Sequence, residues 1–146
     1  MRDITTFRLY PVEGCTLYVR VHIHRTIKLM RAHSAALHVR GISSDKVGRG
    51  CGGFCANWQL WYKIGARWQR DPCVAEVNMC LYYKGTNVAM HELFHATAAW
   101  GRRVGLKWRR LDDDDAVNSS EEDLAYIHGE LCRQFVNRAY KAGIYT

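Results

Sequence analysis

The stretch from Val74 to Gly105, V-A-E-V-N-M-C-L-Y-Y-K-G-T-N-V-A-M-H-E-L-F-H-A-T-A-A-W-G-R-R-V-G, decides how this chain is read. From Val74 to Tyr83 it alternates, with Val77, Met79, Leu81 and Tyr83 on one face and Glu76, Asn78, Cys80 and Tyr82 on the other. That is the period of a strand. Lys84-Gly85 turns the chain, and Thr86 or Asn87 is placed to cap a helix. The spacing predicts that helix over Val88 to Val104. Arg102 and Arg103 complement the dipole of its last turn, and Gly105 supplies the stop.

On this helix His91 and His95 stand four positions apart, hence on one face and one turn from each other. Both imidazoles can then reach a single cation at about 2.0–2.1 Å. Glu92 is rotated by about 100° from His91 and can lean over the same ion without ligating it. There it can take a proton from a water that the ion acidifies and later pass it to a leaving group. His91-Glu92-Leu93-Phe94-His95 thus fits the H-E-x-x-H pattern, two metal ligands and a base within one turn. The bland alternative is two histidines on an ordinary helix. The preceding strand and the small flank Ala96-Thr97-Ala98-Ala99 favour the metal reading.

A catalytic zinc takes three protein ligands and keeps a position open for water. Downstream, a polar loop carries Asp112 to Asp115, and Ser119 or Ser120 starts a last helix running to about Lys141. The candidates on it are Glu121, Glu122 and His128. Leu124, Ile127, Leu131 and Phe135 form one apolar stripe, with Ala125, Gly129, Cys132 and Val136 a small-residue stripe beside it. Glu122 heads the small stripe, where close helix approach would carry it to the histidines, and Glu121 points between the two stripes. Geometry leaves both glutamates open. Ser119-x-x-Glu122 and Ser120-x-x-Asp123 also read as plain capping boxes.

Together these residues resemble the gluzincin metallopeptidases, which carry H-E-x-x-H on one helix and a glutamate ligand on a second. The segment Glu122 to Leu131 is similar to their glutamate helix, with a small residue three places after the glutamate, a glycine at seven and a leucine at nine. That register selects Glu122 over Glu121. The likeness spans roughly residues 74–140 and is nearest in spirit to small bacterial and phage-encoded proteins of the ImmA/IrrE type. It implies a short mixed sheet above the active helix, whose edge strand binds an extended peptide, with Val74 to Tyr83 as the candidate edge. Tyr126 stands where the family has an aspartate, and no motif assigns a transition-state-stabilising Tyr or His.

The expectation is therefore a compact α+β zincin-like domain over residues 1–146, with 74–140 as its metal-binding core and 1–73 unassigned. One Zn2+ would sit on His91, His95 and Glu122, with Glu92 as catalytic base in hydrolysis of a peptide or protein substrate.

The rest of the chain sets bounds. At 146 residues it is one domain by length. Thr16 to Lys28 alternates like a half-buried strand, Leu29 to Val39 has helical spacing, and Gly41 to Gly53 reads as a loop. Trp58, Trp61 and Trp68 cluster in a segment read as core, with a cleft wall as the alternative. No apolar run approaches the roughly 18 residues of a membrane span, and Met1 to Thr5 does not read as a secretory signal, so a cytoplasmic location and no membrane partner are expected. In a phage-encoded protein that would be the host cytoplasm.

Six cysteines in such a chain read as free thiols, and Cys51-x3-Cys55 with Cys73-x6-Cys80 is too loose for a zinc ribbon. The net charge of +7 permits a nucleic-acid partner. It keeps two rivals in view. One is a DNA-associated protease similar to the SprT-like group, which uses a third histidine. The other is a non-enzymatic host-interacting factor that retains the zinc fold as scaffold.

Overall fold

The computed structural model describes residues 3–39, 52–57, 61–83, 85–106 and 119–146. In chain order it runs β1 (Ile4–Leu9), β2 (Tyr18–His24), α1 (Ile27–Val39), β3 (Gly53–Asn57), β4 (Trp61–Ile64), β5 (Arg67–Arg70), β6 (Cys73–Cys80), a 3-10 turn (Leu81–Tyr83), α2 (Thr86–Val104) and α3 (Ser119–Lys141). β1, β2, β6 and β3 form one mixed sheet in that order, and β4 and β5 form a separate hairpin. β2 and β6 are parallel, whereas β1 and β3 pair antiparallel at the two edges. The chain is an α+β fold with a mixed sheet and three helices.

Strand alternation assigns each face its layer. Val19, Val21, Ile23, Val77 and Met79 pack with Leu93, Ala96 and Trp100 of α2 and Leu124, Ile127, Leu131 and Phe135 of α3. On the opposite face Tyr18, Cys73, Cys80, Phe54 and Ala56 pack with Met30 and Leu37 of α1. The expected apolar stripe of the last helix is thus buried against the sheet and α2. The small-residue stripe is not the close-packed seam, since Ala125 and Gly129 are exposed. The close approach comes instead from α2, where a Cβ on Gly101 would stand 2.8 Å from Leu124 Cδ2.

β6 departs from its expected role. All eight of its residues are buried and it lies between β2 and β3, so it is an interior strand and cannot be the peptide-binding edge. The edge beside it is β3. Caps also differ in part. Gly85, not Thr86 or Asn87, precedes α2, and no side chain caps it. The stop is as expected: Gly105 is left-handed at φ 79°, and the Leu106 N–H donates to the Gly101 carbonyl at 2.9 Å. The loop expected over Gly41 to Gly53 and the aspartate run at 112–115 lie almost wholly outside the described residues, as does Trp58. Trp61 and Trp68 are 56% and 64% exposed on the β4–β5 hairpin, so the core reading fails for them. No helix among the described residues is long and apolar enough to cross a membrane.

Candidate metal centre

α2 lies under the sheet with Leu93, Ala96 and Trp100 facing it, which turns His91 and His95 outward. Their rings cross at 83°, and their Nε2 atoms are 3.2 Å apart. Two nitrogens on a tetrahedral zinc, each bonded at 2.0–2.1 Å, would be separated by about 3.3 Å. The helix has set the pair at ligand spacing, and both side chains are exposed to solvent.

Glu92 points elsewhere. It is only 7% exposed and lies beneath β3, where its Cγ would be 3.1 Å from a Cβ on Gly53. Burial, with the Glu92 charge next in size, pushes the Cys55 thiol on β3 well above its usual range. The carboxylate therefore sits at the join between the histidine-bearing helix and the edge strand.

The third expected ligand is not brought to this pair. α2 and α3 run antiparallel, with Gly101 against Leu124, Thr97 Oγ1 3.4 Å from His128 Nδ1, and the Phe94 and His128 ring centroids 5.8 Å apart. Glu122 is thus level with the C-terminal end of α2, displaced along the axis by roughly 12 Å from His95 and 18 Å from His91 at ~1.5 Å per residue. The physical reason is length: α2 continues for two further turns past His95 before the chain returns. Glu121 and Glu122 are both exposed in the first turn of α3. His128 is level with Thr97, about 3 Å along the axis from His95 at ~1.5 Å per residue, and burial holds its proton affinity below the usual range. Phe94 stands between His95 and His128, with its ring centroid 6.4 Å from one and 5.8 Å from the other.

Among the described residues, one group of three side chains does place its ligand atoms within 4.8 Å of one another: His22, His33 and Glu76. It lies on the opposite face of the sheet, under α1. Sequence reading placed Glu76 on the polar face of its strand but gave no weight to His22-x-His24. That alternation on a strand puts two imidazoles on one face, and it was the available signal.

No protein-family model, curated protein or solved structure matches this chain. Its function therefore rests on the residues themselves.

Proposed function

We propose that this chain is a zinc-dependent metallohydrolase acting on peptide or similar amide bonds, with His91 and His95 as metal ligands and Glu92 as general base and acid. The observation that supports it most is the 3.2 Å separation of the two Nε2 atoms of His91 and His95, the spacing of two ligands on one ion. A zinc ion there supplies Lewis-acid chemistry and acidifies water at neutral pH. Glu92 accepts the proton of the attacking water and returns it to the leaving amine. β3 pairs with β6 along one edge, and its other edge can take an extended peptide as a further strand. Of the α3 candidates for a third ligand, His128, level with Thr97, is nearer the histidine pair than Glu122, the residue the gluzincin resemblance selects.

The test is a peptide-library digestion read by mass spectrometry, with wild type beside Glu92→Gln. The proposal expects cleavage that Glu92→Gln abolishes while metal content is unchanged. Equal cleavage by the variant would refute Glu92 as the base. Metal content of Glu122→Gln and His128→Ala then assigns the third ligand.

A second reading, a nucleic-acid partner, draws on the β4–β5 hairpin. Register places Trp61 opposite Arg70 and Lys63 opposite Trp68, so one face alternates aromatic and cationic side chains. The Arg70 guanidinium lies 5.7 Å from the Trp61 ring centroid. Exposed tryptophans beside cations form a platform on which single-stranded bases stack. Binding of a labelled oligonucleotide that weakens steeply with salt and is lost in Trp61→Ala/Trp68→Ala would support it. No binding at low salt would remove it.

A further inference from the structure

We propose that the sheet face beneath α1 holds a divalent metal ion, bound by His22, His33 and Glu76, that fastens α1 to the sheet and is separate from the His91–His95 centre. In the parallel pairing of β2 with β6, Arg20 lies beside Glu76 and His22 beside Asn78, so these side chains share one face. α1 then adds His33. Glu76 Oε1 is 3.1 Å from His22 Nε2 and hydrogen-bonded at 2.5 Å to His33 Nε2, so both imidazoles converge on one carboxylate oxygen, and an ion would take the place of the direct His33–Glu76 bond by parting the two atoms to about 3.3 Å. Glu76 is 1% exposed and His22 9% exposed.

The surroundings prepare these atoms as ligands. Thr6 Oγ1 lies 2.8 Å from His22 Nδ1. His22 Nε2 is buried and meets no partner in hydrogen-bond geometry, despite its nearness to Oε1. With Nδ1–H donating to Thr6 Oγ1, the Nε2 lone pair is free to bind an ion, the usual outer support of a metal-bound histidine. The Arg20 guanidinium donates to Glu76 Oε2 at 3.3 Å, which occupies the second oxygen and orients Oε1 toward the imidazoles.

A further donor stands next to the trio. His24 pairs its Nε2 with Asn78 Oδ1 at 2.9 Å, and its Nδ1 is buried without a hydrogen-bond partner. Its ring centroid is 5.2 Å from that of His33. Nitrogen and carboxylate donors of this kind suit Zn2+ and its first-row neighbours. The burial of Glu76 and His22 marks a closed, structural site. Such a tie matters for α1, whose buried apolar anchors among the described residues are Met30 and Leu37, with Ile27 partly buried beside them.

The test uses the full chain carrying His91→Ala and His95→Ala, so that any metal still held belongs elsewhere. Zinc is added, excess is removed by dialysis, and metal per chain is counted by mass spectrometry, with X-ray absorption to identify the donor atoms. The proposal expects one zinc per chain, nitrogen and oxygen donors only, and a melting temperature that falls on chelation. It expects the zinc to vanish when His33→Ala is added. Where that variant does not fold, by circular dichroism, the milder His33→Gln takes its place. No retained zinc in the folded double variant would overturn the proposal and leave a hydrogen-bonded polar network. Zinc retained after loss of His33, or sulfur among the donors, would overturn it as well. None of these outcomes depends on whether the chain is a hydrolase.

Discussion

Substituting Gly53 by alanine tests the junction on which the proposed chemistry depends. Gly53 pairs with Met79 across β3 and β6. A Cβ there would stand 3.0 Å from the Asn78 carbonyl oxygen, 3.1 Å from Glu92 Cγ and 3.1 Å from Val88 Cγ1. The carbonyl is part of the sheet backbone and can yield only if β3 lifts from β6. Glu92 Cγ and Val88 Cγ1 are side-chain atoms that must turn aside by a few tenths of an ångström. Alanine in place of strand glycine gains about 0.5–1 kcal/mol of backbone entropy. Overpacking of a fitted site costs about 1–3 kcal/mol. The net expectation is a loss of up to about 2.5 kcal/mol, or a melting-temperature drop of up to about 10 °C for a chain of this size. Gly129→Ala is the matched control: nothing lies within 4 Å of a Cβ there, and the site is an exposed helix interior. It should gain up to about 1 kcal/mol by helix propensity alone. Thermal melts followed by circular dichroism read both variants. If Gly53→Ala melts above wild type while the control behaves as expected, the close seating of β3 on Glu92 is wrong.

Other expectations follow from burial. Leu131 is fully buried between α3 and the sheet, and Leu131→Ala should cost about 2–5 kcal/mol in denaturant unfolding, whereas Tyr126→Ala, 75% exposed, should stay within about 0.5 kcal/mol. Equal losses would contradict the assigned faces of α3. Burial pushes the Cys73 thiol up to about 12 and Cys55 higher still, so iodoacetamide at pH 8 should spare both in the native protein and modify both in denaturant, as peptide mapping would show. Native-state labelling at the unfolded rate would show that these thiols are not enclosed. Trp61→Ala and Trp68→Ala should each change stability by less than about 1 kcal/mol, because both rings are exposed and only Trp61 has the Arg70 contact. A larger loss in either would restore the core reading of these tryptophans.

Some of this was legible in the sequence and some was not, for definite reasons. β6, α2 and α3 carry long, regular patterns with a glycine or serine boundary, and they appear within a few residues of where the spacing puts them. H-E-x-x-H is a local geometry, so the helix alone sets His91 against His95. The level of Glu122 depends on how far α2 runs past His95 and where Gly101 lets α3 approach, and a register borrowed from a resemblance carries neither quantity. The edge strand was misassigned for a related reason. Alternation in β6 does not say what covers its polar face: Glu76 and Asn78 are buried beneath α1 with His22, His33 and His24 for company. A polar residue on a strand shows its partner only once the opposite layer is known.

The most direct test of the central claim is the zinc count of the wild-type chain beside the His91→Ala/His95→Ala double variant, both folded and both loaded under the same conditions. The account predicts that the double variant holds one zinc fewer per chain than wild type. Equal metal content in the two would mean that the histidine pair on α2 binds no ion, and the metallohydrolase reading would fall with it.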